Sequence, residues 1–369
     1  MPRAKILDDL GEIKKIDRSG MLSFCVNAAL HYGEAAKLAK RMNLNYPKPK
    51  AIIVAGMGGS AISGELLKDW TREKIAVPIE VCREYSLPAY ADEKTLVFII
   101  SYSGETEESL SVYLDAFKRG CMIACIGSGG TLQKLAEKMK VPHLKVPSGM
   151  APRAALPYLF VPLPIFLEKI SLVSGVESEI LEALDVLNRI SAVNSPDKPL
   201  KENFSKRLAV DICGTVPVVY GFGVYRAVAQ RLKQQFNENS KVPSKWETFP
   251  ELNHNEIVGW EASGEFAKLF SAIFFRDTDE PEAIRERITI TEELIREESI
   301  KTFEIRGMGK SNLAKMSSAI CIGDFLTVYL AILRGVDPTP VKTITVLKEK
   351  MKRVGVKEKV LCELQKLTK

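Results

Sequence analysis

The chain has 369 residues, 46% hydrophobic and 27% charged, a balance typical of soluble globular proteins at a length beyond one ordinary domain. Its formal net charge of +6 is modest, and Lys and Arg are interspersed with Asp and Glu, so no nucleic-acid partner is expected. Seven cysteines and three histidines (His31, His143, His254) form no metal-ligand or disulfide spacing, so no metal and no cofactor are expected.

Residues 1–17 carry charges throughout and no apolar stretch, so no secretion signal is expected. Residues 1–47 read as N-terminal helices, the main one running from Met21 to Arg41. No uncharged apolar run reaches bilayer-spanning length. The nearest, Ala154 to Leu167, contains Pro157, Pro162 and Pro164 and stops at Glu168. A cytoplasmic location with reduced thiols and no membrane partner is expected.

Ala51-Ile52-Ile53-Val54-Ala55 predicts a buried strand that breaks at Gly56, and Gly58-Gly59-Ser60 opens a helix over 61–70. A strand–turn–helix junction offers backbone N–H groups and the positive end of a helix dipole to an anion, and glycine lets the ligand approach closely. A tight turn that binds nothing is the alternative. A short strand near 78–82 follows, then a strand over 95–101 ending in Ser101-Tyr102-Ser103-Gly104-Glu105-Thr106-Glu107-Glu108. Ser103 or Thr106 could simply cap the next helix, 107–118. Capping leaves at least one of the hydroxyls unexplained, and two anion-ready strand ends on one sheet point to a phosphate pocket. A strand at 121–127, a helix at 131–139 and a strand near 143–147 complete an alternation that predicts a parallel sheet covered on both faces.

Gly58-Gly59-Ser60 together with S-Y-S-G-x-T-E resembles the sugar isomerase (SIS) domain, which binds phosphorylated sugars. Over residues 20 to 340 the chain resembles the bifunctional phosphoglucose/phosphomannose isomerases. The resemblance implies an α/β fold with two SIS-type αβα sandwiches at 48–193 and 200–340, and a helical tail at 341–369. It implies a phosphorylated hexose as substrate, held by Gly58, Gly59, Ser60, Ser101, Ser103 and Thr106. It also implies a homodimer with a shared active site.

Arg153, at the entrance to an apolar helix over 155–170, is a cation placed against a helix dipole, better explained if it faces an anion. In the family such an arginine steadies an enediolate. Residues 171–200 read as a helix plus linker. The second half repeats the order of elements: strand 216–221, helix 225–236, strand near 246–249, strand 268–275, helix 280–297, strand 301–306, helix 309–334.

Glu238, in Phe236-Asn237-Glu238-Asn239, falls where the second-half helix should stop. The negative end of the dipole would raise its pKa, which suits a base that must return its proton. A surface turn residue is the alternative, but the segment resembles the one that carries the family's catalytic base. His254 lies sixteen residues on, in a polar turn. The resemblance gives it ring opening from the partner subunit. Thr327 and Arg334 are seven residues apart on one helix, close to two turns, and are expected on one face. The family often has Lys where Arg334 stands, and Arg presents a fork rather than a point charge. The strictly glucose-specific isomerases have a bulky Gln in place of Thr327. A smaller Thr would leave the enediolate room to rotate and yield the mannose epimer. A buried Thr bonded to its own helix is the alternative.

Two other readings compete. A sugar-phosphate-sensing regulator would need a DNA-binding domain, for which residues 1–47 are short and mixed in charge. An amino-sugar phosphate isomerase of the amidotransferase kind would need an N-terminal glutaminase domain with a nucleophilic cysteine, which is not expected in these 369 residues.

Overall fold

A computed structural model describes residues 2–261 and 264–367, so the end of the basic tail, Thr368 and Lys369, lies outside the described residues. The chain divides into two compact units, one of residues 31–178 and 341–369, the other of residues 1–30 and 179–340. These units are not the consecutive segments 1–47, 48–193, 200–340 and 341–369 set out above. The tail beyond Pro340 belongs with the first sheet, and residues 1–30 belong with the second. Composition marks the linkers, but which sheet an apolar helix face covers is decided by packing.

The first sheet holds β1 (Ala51–Ala55), β2 (Ile79–Cys82), β3 (Thr95–Ile100), β4 (Met122–Gly127) and β5 (His143–Lys145), all parallel, in the order β2-β1-β3-β4-β5. β1 and β3 are buried along their whole length. That is why they read as unbroken apolar runs rather than alternating ones. The chain leaves β1 for β2 on one side and returns to β3 on the other. The connections that follow β1 and β3 therefore lead off to opposite sides, the topology that places a ligand site at the strands' carboxyl ends.

The second sheet holds β6 (Val216–Gly221), β7 (Lys245–Thr248), β8 (Phe270–Arg276) and β9 (Lys301–Arg306), all parallel, in the order β7-β6-β8-β9. This repeats the order of the first four strands of the other sheet, as the recurrence of elements along the sequence suggested.

Two expected helices differ in detail. Met21 to Arg41 is two helices, Met21–Val26 and Ala28–Arg41, broken at Asn27, whose side-chain amide donates to the Ser23 carbonyl at 2.9 Å. The expected helix 155–170 is likewise two, Leu156–Phe160 and Pro162–Lys169, because Pro162 and Pro164 have no N–H to give the preceding turn. The stretch 171–200 contains the helix Val176–Asn194. Asn312–Arg334 is long and apolar enough to cross a membrane, but 94% of its most apolar window is buried inside the protein. An all-round apolar helix of this kind is a core helix.

Candidate active site

The site begins at the two turns at the carboxyl ends of β1 and β3. A Cβ on Gly56 would stand 2.8 Å from the Ile100 carbonyl oxygen, so glycine there lets the turns after β1 and β3 meet. Gly58 has φ +50°, a left-handed conformation, and the chain enters the helix Ala61–Thr71 directly after Ser60. Ser60 and Ser101 are buried, and the Ser101 hydroxyl hydrogen-bonds that of Thr106 at 2.9 Å. Ser103 is exposed, its hydroxyl accepting the Glu105 N–H at 3.2 Å. Thr106 occupies the cap position of the helix Glu107–Lys118 without making a side-chain capping bond. The capping alternative therefore does not account for these hydroxyls, and the helix start keeps its capacity for an anion.

Gly104 is at φ +67°, and a Cβ there would lie 1.9 Å from the Gly129 carbonyl oxygen. Gly104→Ala is expected to cost about 1–2 kcal/mol from the left-handed backbone alone, with the clash in addition. Thermal unfolding should show a Tm lower by several degrees; an unchanged Tm would mean the loop relaxes freely.

Arg153 is brought against the first turn. A Cβ on Gly59 would sit 3.3 Å from the Pro152 carbonyl oxygen and 3.5 Å from the Arg153 Cα. Tyr102, inside the second turn, pins the approach to Arg153. Its hydroxyl donates to the Pro147 carbonyl at 3.1 Å and accepts the Met150 N–H at 2.9 Å. Burial raises the Tyr102 pKa, which keeps that donor protonated. Arg153 itself is 2% exposed. The backbone of this buried arginine thus stands against the Gly-rich turn that leads into the helix Ala61–Thr71. Sequence reasoning missed Tyr102 as a positioning group, though it stands within the S-Y-S-G motif.

The other named residues belong to the second unit. Helix Arg226–Gln235 runs into a single π-helical turn, Phe236–Ser240, that carries the half-buried Glu238. π-Turns need specific support and recur at functional sites. Here the Asn239 amide donates to the Thr327 hydroxyl at 3.0 Å, and the Ser240 hydroxyl donates to the Thr327 carbonyl at 2.6 Å. Asn237 bonds the Val242 carbonyl at 2.9 Å, and the Lys241 ammonium donates to the carbonyls of Glu238 and Pro338. Arg231 and Gln235 both hold the Asp324 carboxylate, fixing the preceding helix to Asn312–Arg334. Glu238 thus sits on a turn that is tied down on both flanks.

Thr327 is fully buried, and its hydroxyl also donates to the Asp324 carbonyl at 3.1 Å. Arg334, the last residue of the same helix, is exposed. The seven-residue spacing does not give the two a common open face, because the helix is enclosed nearly all round. His254 is exposed at the end of a 3₁₀ turn, Glu251–His254. Its neighbours are fixed: Asn253 donates to Thr291 at 2.8 Å and Asn255 to Glu251 at 2.8 Å. The partners Asn239, Ser240 and Asp324 were not legible as such, since each lies tens of residues from what it holds.

Two parallel sheets of the same strand order, one with hydroxyl- and glycine-lined turns at its switch point, define a doubly wound α/β protein with turns suited to an anion. A model of the C-terminal SIS domain of bacterial phospho-glucose isomerase matches residues 201–351. A bifunctional phosphoglucose/phosphomannose isomerase of Caldicellulosiruptor bescii is 40% identical over 324 residues, 87% of this chain and 96% of that protein. One from Aquifex aeolicus is 34% identical over 311 residues, 82% of this chain and 91% of its own. The crystal structure of a glucose-6-phosphate isomerase-like protein from Thermus thermophilus superimposes with a TM-score of 0.58 at 19% identity, covering 91% of this chain and 98% of that one. The chain belongs to the bifunctional phosphoglucose/phosphomannose isomerase family.

Proposed function

We propose that the protein is an aldose–ketose isomerase that interconverts glucose 6-phosphate and fructose 6-phosphate, and also mannose 6-phosphate and fructose 6-phosphate. The observation that carries this reading is the packing of buried Arg153 against Gly59, beside two hydroxyl-lined turns, in a family whose members bear that name. Gly58, Gly59, Ser60, Ser101, Ser103 and Thr106 hold the phosphate. His254, with Arg334, opens the sugar ring. Glu238 takes the proton from C2 and returns it to C1, and Arg153 stabilises the cis-enediolate between. Thr327, through its bond to Asn239, sets the surroundings of the base and hence the tolerance for the mannose epimer. A cytoplasmic homodimer that shares its sites is part of the reading, and the exposure of His254 supports donation to a partner.

The test is a coupled assay with fructose 6-phosphate, reading glucose and mannose products separately, on enzyme dialysed against EDTA. Both products are expected without added metal, since the few histidines and cysteines lack ligand spacing. No product from intact protein would overturn the reading. Activity that returns only with zinc or manganese would overturn its metal independence.

A further inference from the structure

The helix Val356–Leu367 lies beyond the last residue matched by the family model, residue 351. It is nonetheless part of the first unit's core. Val360 and Leu364 are buried in one apolar cluster with Leu110, Tyr113 and Leu114 of the helix that follows the second phosphate turn. Ion pairs hold both ends of that contact. Glu363 pairs with Lys118, the last residue of the Glu107–Lys118 helix, and Lys357 pairs with Glu105, two residues before its first.

Glu105 is the informative member. It stands between Gly104 and Thr106, in the middle of a turn read as a cradle for a phosphate dianion. A carboxylate there works against the ligand's charge unless it is held and neutralised. The structure does both. The Glu105 carboxylate accepts the Thr131 N–H at 2.8 Å and the Thr131 hydroxyl, and it takes the Lys357 ammonium as its counter-ion. Gly130 makes room for this, since a Cβ there would fall 2.7 Å from Glu105 Oε1. Burial alone would push the Glu105 carboxyl up, but the bonds from Lys357 and Thr131 outweigh it and hold the group below the usual carboxylate range.

We propose that the C-terminal helix is a positioning element of the phosphate turn, with Lys357 restraining and neutralising Glu105 so that the Ser101–Thr106 segment can accept a phosphate. This rests on the phosphate-turn reading above. Lys357 is a positioning residue that acts through Glu105.

The pair is partly exposed, with side-chain exposures of 34% and 43%, so a modest effect is expected. In the full-length protein, Lys357→Ala should weaken inorganic phosphate binding by calorimetry, and raise KM for fructose 6-phosphate, by about 2- to 5-fold. kcat should stay within about twofold of its starting value, as for any change that alters binding alone. Lys357→Glu should weaken binding further, and Lys357→Arg should restore it. In a Glu105→Gln background, Lys357→Ala should have no additional effect, because the charge it balances is gone. Unchanged phosphate affinity in Lys357→Ala and Lys357→Glu would overturn the proposal. So would a fall in Tm or kcat with affinity intact, or an unmodified protein that binds no phosphate. The titration needs no turnover, so a protein that binds phosphate but isomerises nothing would sink the isomerase reading alone.

Discussion

Glu238→Gln is expected to lower kcat roughly 10²- to 10⁴-fold, the range for loss of a positioned acid–base group. The substitution is close to isosteric, and the turn that carries residue 238 is held through Asn239, Ser240 and Lys241. The fold should therefore survive, and a non-reacting sugar-phosphate inhibitor should bind about as tightly as before. Steady-state kinetics and inhibitor titration on the same preparation separate the two effects. Near-normal turnover would place the base elsewhere. Equal losses in inhibitor affinity and kcat would mean that the substitution disturbed binding.

Arg153→Gln is expected to reduce kcat by about 10²- to 10³-fold, the loss found when one preorganised donor is removed from a developing oxyanion. Arg153 is 2% exposed and its backbone lies against Gly59, so the side chain is held inside the unit that carries the Gly-rich turn. Arg153→Lys keeps the charge but loses the planar fork and its reach, so it should recover only part of the rate. Circular dichroism and Tm guard against misfolding. If Arg153→Gln lowers Tm but leaves kcat intact, the arginine is structural and the enediolate is steadied by another group.

The architecture was largely legible because parallel sheets are written in local sequence. Buried strands become apolar runs, and the glycine- and hydroxyl-rich turns that end them mark where a ligand can approach. The helix 107–118 and the strands 216–221 and 301–306 have the bounds that periodicity suggested. Errors fell where local patterns mislead. Pro162 and Pro164 cut one apolar run into two helices, and Asn27 did the same to another.

The candidate site was legible as residues but not as a construction. That Gly59, Ser101, Arg153 and Glu238 were worth naming followed from residue type, neighbours and family likeness, all of which lie along the chain. What supports them did not. The Asn239–Thr327 bond spans 88 residues and the Lys357–Glu105 pair spans 252, and no periodicity of 2 or 3.6 residues carries a pairing across such distances. Those contacts arise only when sheets and helices have packed. Packing enclosed Thr327 while leaving Arg334, on the same helix, exposed. It also joined the basic tail to the unit that holds the phosphate turns, because Val360 and Leu364 bury their apolar surface there and nothing in the tail's own sequence names that partner.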